Sequence, residues 1–294
     1  MREIMQRTAM AIFICVGGLN IWAAQRYQVT GLVLKIDQPH RTFVASCMAI
    51  PGYMDAMVMP IAVRDGKALE TLKPSALVDF TLVVTNDDSY AENLRVHRYQ
   101  STELEPLQVR SLQLLAGAGH TDSATDEVAL GAPVPDFTLN DQTERSIRLS
   151  EFAGKVLVSA FIYTNCPLPN YCFRLSNNLG RLQKRFADRM GRDLVLLSVT
   201  MDPVHDTPEV LAKYGTTWKA DARSWHFLTG PEPEVRKVCR RFGVNFWPDE
   251  GSLTHSLHTI VIDRQGKLAA NFEGNEFTAQ QLGDFVEAVL ASGK

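Results

Sequence analysis

Two cysteines, Cys166 and Cys172, bracket the segment Pro167-Leu-Pro-Asn-Tyr171 at the end of an apolar run. Six positions apart on a proline-stiffened loop, they can close a disulfide or hold one metal ion between them. Thiolates are soft ligands and select copper(I) or zinc. The residues after Cys172 have helical spacing, and a helix N-terminus beside the loop favours the thiolate form. A third ligand must come from elsewhere. The stretch Leu253-Thr-His-Ser-Leu-His258 offers His255 and His258. Three apart in an extended segment, they face opposite sides, so only one is a ligand; the pattern does not choose. Asp202 follows a second apolar run, where an acid can orient a ligand or fix its loop. His205 reads as exposed. Cys239, among Val235, Val238 and Phe242, reads as core.

A second soft-ligand cluster lies nearer the N-terminus. Cys47, Met48, Met54, Met57 and Met59 fall within 13 residues around Pro51-Gly52. Met57 and Met59 are two apart, so at a strand start they share a face. Thioether sulfur is soft and neutral and suits copper(I). Two such clusters in one chain argue for one shared metal.

These groups need elements to hold them. Residues 156–162 are an apolar, β-branched run expected to be a buried central strand, with the cysteine loop at its C-terminal end. A helix follows to about residue 190. A second apolar strand spans 193–200, and Pro208 opens the next helix. A short strand at 225–228 and a helix at 233–242 follow. A strand over 256–263 comes next, paired through the Asp263–Gly266 turn with 267–272. Thr278 caps a last helix to residue 290. Residues 135–139 and 142–149 are expected to pair as a hairpin. Strands alternating with helices indicate an α/β sheet covered on both faces. Before it, short strands at 27–36, 41–46, 58–63, 78–85 and 92–98 indicate a small β-barrel.

The chain has 294 residues and a formal net charge of −3, with acids and bases interspersed. That length accommodates two domains, and nothing in the charge pattern suggests nucleic acid as a partner. Arg2 and Arg7 precede a short apolar run to Ala24, the pattern of a secretory signal. The cleavage site is poor, which leaves an uncleaved membrane anchor open. The expected division is a signal or anchor at 1–26, a barrel at 27–99, a linker at 100–130 holding a short helix, and an α/β domain at 131–294. The expected location is the periplasm or another exported compartment, with possible anchoring to the inner membrane. Few cysteines in an oxidising compartment point to redox or soft-metal work rather than a disulfide scaffold.

Residues 131–291 resemble the Sco/SenC family. The resemblance is carried by Phe161-Ile-Tyr-Thr-Asn-Cys166-Pro, Ser198-Val-Thr-Met-Asp202-Pro, Asp206-Thr-Pro208, Trp225-His-Phe-Leu-Thr-Gly230, and His255-Ser ahead of Val261-Ile-Asp263. It implies a thioredoxin-like fold and a copper metallochaperone serving cytochrome c oxidase assembly. The implied ligands are Cys166, Cys172 and His255, with Asp202 as the matching acid. The implied acceptor is a protein such as a cytochrome oxidase subunit. The family has three residues between its cysteines followed by proline; this chain has five, followed by Phe173. Residues 27–99 resemble the CusF-type copper-binding domain, an OB-like barrel, through Ile50-Pro-Gly-Tyr-Met-Asp-Ala-Met-Val-Met-Pro60. Met57 and Met59 match its methionines, Cys47 stands at the histidine position and Met54 near the aromatic one. The ion would be captured at the barrel and passed on through a flexible linker at 116–130. Two enzyme readings stand beside this one. In a thiol–disulfide oxidoreductase, Cys166 and Cys172 are the catalytic pair acting on a disulfide partner. A thiol peroxidase would need Cys166 activated by an acid or by Thr164.

Overall fold

The computed structural model describes residues 24–97, 127–249 and 252–292. The signal or anchor expected up to residue 26 lies outside the described residues as far as residue 23, and so does most of the expected linker with the short helix expected in it. No helix among the described residues is long and apolar enough to cross a membrane.

Strands β1 (Gln25–Asp37), β2 (Thr42–Cys47), β3 (Met57–Val63), β4 (Leu77–Val84) and β5 (Ser89–Val96) form a closed barrel in the order β1-β2-β3-β5-β4. This is the expected OB-like barrel. Its first strand starts earlier than expected: Gln25 and Arg26, assigned to the leader, pair with Val84 and Val83. The fifth strand also starts earlier, because Thr85 and Asp88 close the preceding turn on each other. Inward residues such as Val33, Phe43, Ile61, Val78 and Phe80 fill the barrel. Gly31 has a packing reason. A Cβ there would meet the Ala45 Cβ at 3.2 Å and lie 3.4 Å from the Cys47 Sγ, so glycine makes room for the thiol.

The second part opens with a hairpin of β6 (Thr138–Asn140) and β7 (Ser146–Arg148). Its main elements follow in chain order as β8 (Val156–Ile162), α1 (Cys172–Arg185), β9 (Leu194–Thr200), α2 (Pro208–Thr217), β10 (Trp225–Leu228) and α3 (Glu232–Arg241). They continue with β11 (Phe246–Asp249), β12 (Ser252–His255), β13 (His258–Ile262), β14 (Leu268–Glu273) and α4 (Ala279–Ser292). The sheet order is β10-β9-β8-β13-β14, with β8, β9 and β10 parallel and β13 antiparallel to β8. A parallel βαβ core closed by an antiparallel hairpin and a terminal helix is thioredoxin-like. β8 and β9 are buried along their whole length, as their unbroken apolar runs require.

Two boundaries differ from expectation. Helix α1 ends at Arg185 rather than near 190; the chain then folds into turns that lead to Gly191, whose φ is +75°. The strand expected over 256–263 is found as β13 but starts two residues later, and a hairpin not expected precedes it. His255 ends the hairpin of β11 and β12, and β13 begins at His258.

The barrel packs against the α/β part. Leu32 and Leu34 of β1 are buried in the same apolar core as β8 and α4. Polar ties add to this. The Ser46 hydroxyl donates to Asp284 at 2.6 Å, and Asp284 also accepts from Arg185 at 2.8 Å. Gln281 donates to the Ser46 carbonyl at 3.2 Å.

Candidate metal centre

Topology explains why Cys166, Cys172 and His255 meet. β8 runs into the cysteine loop at one end of the sheet. β13 is antiparallel to β8, so the residues just before it arrive at that same end. The ligand atoms of Cys166, Cys172 and His255 all lie within 4.8 Å of one another. Both cysteines are free thiols. Cys172 is buried at the start of α1 and His255 is buried beside it, while Cys166 is partly exposed. The Cys172 Sγ lies 3.9 Å from the His255 Nε2.

The imidazole is oriented. The His255 Nδ1 is 2.9 Å from the Ser256 carbonyl, which can only accept, so Nδ1 carries the proton. Nε2 is then the nitrogen turned to the sulfurs, with a free lone pair in the neutral ring. Tyr163 and Tyr171 flank the ring edge to face, at 5.5 Å and 6.0 Å between centroids.

The two thiols differ in charge state. A hydrogen bond from Cys172 outweighs burial and holds the Cys166 thiol well below the usual range. Burial, together with the neighbouring Cys166 sulfur and the Asp206 carboxylate, pushes the Cys172 thiol up. The pair therefore holds one accessible thiolate and one buried thiol, sharing a proton.

The acid bonded to the ends of both central strands is Asp206; Asp202, the acid expected here, pairs with His205 instead. The Asp206 carboxylate is buried and accepts from the Thr164 amide at 3.1 Å and from the Thr164 and Thr200 hydroxyls at 2.5 Å each. Burial raises its pKa. It ties the ends of β8 and β9 together below the cysteine loop. Asp202 turns outward to the exposed His205, whose Nδ1 lies 2.9 Å away. The Thr164 hydroxyl thus donates to Asp206. His258 is buried against Asn271 at 2.9 Å, away from the sulfurs. Cys239 is core, its thiol pushed up to about 12 by burial.

Sequence reasoning missed Asp206, Tyr163 and Tyr171 as parts of the site. The Asp206-Thr-Pro208 run and the tyrosines beside the cysteine segment were the available signals. The β11–β12 hairpin was also missed, although Pro248-Asp-Glu-Gly251 carries turn chemistry.

In the barrel, Cys47 pairs across the ladder with Met57, and Ala45 with Met59. Residues directly opposite share a face, so Cys47, Met57 and Met59 line one side of the β2–β3 ladder. Cys47 is buried and its thiol is pushed up to about 12 by that burial. Met57 is exposed, and Met59 is partly buried against the barrel core. Met54 is partly buried too, brought in by a closed loop in which Ile50 and Met54 exchange backbone hydrogen bonds of 2.8 Å and 3.0 Å. Tyr53 of that loop stacks on Tyr27 at 4.0 Å.

Fold and site together define a thioredoxin-like domain with a cysteine–cysteine–histidine cluster at the end of its central strand. Residues 126–291 match the SCO1/SenC family, and the chain belongs to it. A relative from Bacillus subtilis (strain 168), named SCO1 protein homolog, is 27% identical over 153 residues, covering 51% of this chain and 78% of its own. A solved structure from Aquifex aeolicus VF5 is 22% identical and covers 56% of this chain and 96% of its own, with a TM-score of 0.50. Yeast Sco1 with copper bound is 25% identical, covers 56% of this chain and 90% of its own, and has a TM-score of 0.47.

Proposed function

We propose that this protein is an exported copper metallochaperone whose cargo is held by Cys166, Cys172 and His255. The observation that carries the reading is the convergence of two thiol sulfurs and one oriented imidazole nitrogen within 4.8 Å. Two thiolates and an imidazole form a soft set of three, which suits copper(I). Family membership and the Sco/SenC resemblance support the same metal and a role in cytochrome c oxidase assembly. The Cys166 thiolate, partly exposed, meets the ion first. Cys172 then gives up its proton as it ligates, as metal binding to a thiol requires. The His255 Nε2 completes the set. Delivery runs by stepwise ligand exchange to an acceptor that presents its own soft ligands, so the ion is never bare.

The barrel cluster of Cys47, Met57 and Met59, with Met54 beside it, is the second site in this reading. Its shared ladder face and the CusF-type resemblance support capture of copper(I) there before the α/β site is loaded.

Copper(I) stoichiometry of the reduced full chain tests both parts. Two ions are expected, one lost on Cys166→Ser and the other on Cys47→Ser. A wild-type chain that binds a single ion, and keeps it in Cys166→Ser, sinks the reading for the α/β site.

The charge asymmetry of the cysteine pair favours a second reading, a thiol–disulfide oxidoreductase. The Cys166 thiolate attacks a partner disulfide, forming a mixed disulfide and releasing the partner's other sulfur as thiolate. Cys172 then loses its proton and displaces the partner, leaving Cys166 and Cys172 oxidised. A mixed disulfide trapped by Cys172→Ser is expected if this activity is present.

A further inference from the structure

The connection from β14 into α4 touches both soft-ligand clusters at the residues next to their ligands. The Gly274 amide donates to the Leu257 carbonyl at 2.8 Å, two positions after His255. The buried Asn275 amide donates to the Asn170 carbonyl, inside the cysteine loop and two positions before Cys172. On its other side, Gln281 donates to the carbonyl of Ser46, the residue before Cys47, at 3.2 Å. Gln280 donates to the carbonyl of Ala56, the residue before Met57, at 3.4 Å. Between these contacts the segment is stiffened. The Thr278 amide donates to the Gln281 side chain at 3.0 Å, and the Gln281 amide donates to the Thr278 hydroxyl at 3.1 Å. Glu276 pairs with His97 of the barrel at 3.0 Å.

The cysteine loop needs such support. It carries five residues between its cysteines, two of them proline. The Leu168 carbonyl accepts from the Tyr171 amide at 3.1 Å within the loop, and Asn275 holds it from outside. Gln281 has two jobs on one side chain: its oxygen caps the helix and its nitrogen holds the barrel.

We propose that residues 274–281 are a strut shared by both clusters, and that Asn275 is the positioning residue through which the docked barrel fixes the geometry of the cysteine loop. The proposal rests on the reading above only for what the loop is used for. Its physical basis is one short backbone segment that is hydrogen-bonded to both sites, with a buried side chain making the contact at each end. Holding the loop with two separate thiols stabilises the reduced pair over the disulfide.

The test is the thiol–disulfide equilibrium of metal-free full chain against glutathione. Oxidation of Cys166 and Cys172 reduces one glutathione disulfide to two glutathione, so the balance is closed. Asn275→Ala and Asn275→Asp both remove the donor and are expected to shift the equilibrium at least threefold toward the protein disulfide; tenfold would be about 30 mV for a two-electron couple. Gln281→Glu keeps the oxygen that caps the helix and loses the donor to Ser46. It is expected to shift the equilibrium the same way by at least twofold, although Gln281 does not touch the loop. Smaller shifts in the Asn275 variants overturn the positioning role. An unchanged equilibrium in Gln281→Glu overturns the part given to the barrel. Should the Asn275 variants fail to fold, Gln281→Glu carries the test alone. Since no metal is present, a redox shift in a chain that binds no copper upholds the strut and refutes only the chaperone reading.

Discussion

The two soft-ligand clusters are built in opposite ways. In the α/β part, the sheet brings together residues as far apart in sequence as Cys166 and His255, by running β13 against β8. In the barrel, one hairpin does the work: Cys47 and Met57 are opposite one another on β2 and β3. The first cluster contains an oriented imidazole and an accessible thiolate beside a buried thiol. The second contains a single buried thiol, pushed up to about 12, and thioethers at graded exposure. A thiolate pair holds its ion through charge, whereas neutral thioethers hold theirs weakly and release it readily. Under the function proposed above, the difference suits a giver and a receiver.

Removing a ligand from the α/β cluster should have the largest effect. Cys172→Ser is expected to weaken copper(I) binding there by more than ~100-fold, beyond the range for loss of an outer-shell partner, with the barrel site unaffected. Competition against a copper(I) chelator reads both. Equal losses at both sites would break the comparison.

Next in size is a pH effect that separates the thiols. The Cys166 pKa is lowered, so its thiolate is already present at neutral pH and is lost only as pH falls through the depressed value. Cys47 and Cys239, raised to about 12 by burial, stay protonated through the physiological range. Alkylation of the reduced chain at pH 6 should modify Cys166 first and leave the other two largely intact, as mass spectrometry of the peptides would report. Preferential labelling of Cys47 would reverse the charge assignment of the two clusters.

Much of this was legible in the sequence because it rests on local pattern. The apolar runs at 156–162 and 194–200 can only be buried strands, and Pro208 and Thr278 mark helix starts by their own chemistry. The five barrel strands were recoverable from alternation and turn residues. What was not legible depends on long-range pairing. Asp202 and Asp206 are both acids after a central strand, and only the closed structure shows that Thr164 and Thr200 claim Asp206. His255 and His258 were separated by the family resemblance rather than by periodicity; in the structure they are not on one extended segment, since β12 ends at His255 and β13 begins at His258. The docking of Leu32 and Leu34 against the α/β core was invisible, since these side chains look like ordinary barrel residues.

A smaller effect probes the barrel alone. Met57→Leu and Met59→Leu keep volume and apolarity and cost less than about 1.5 kcal/mol in stability. Together they should lower copper(I) affinity at the barrel by about tenfold or more while leaving the α/β site loaded when copper is supplied directly. Barrel affinity retained within twofold would mean that these thioethers only pack, and the likeness between the clusters would reduce to composition.

The smallest expected effect concerns the contact that joins the two regions. Gly283 lies on α4 against Arg185, and a Cβ there would come within 3.0 Å of the guanidinium carbon, so the side chain must move. Arg185 would then lose its hydrogen bond to Asp284, the carboxylate that also accepts from Ser46. The loss is tempered by two effects. Alanine favours a helix over glycine by about 0.8–1.0 kcal/mol, and the ion pair, a third exposed on the arginine side, contributes little by itself. Gly283→Ala is therefore expected to change total stability by less than about 1 kcal/mol. Its signature lies in cooperativity: wild type should unfold in one transition, and the variant should begin to separate barrel from α/β unfolding in a calorimetric scan. Asp284→Ala removes both partners' acceptor and should separate them further. A single sharp transition in both variants would mean that Leu32 and Leu34 alone bind the barrel to the core, and that the polar ties to Ser46 only align it.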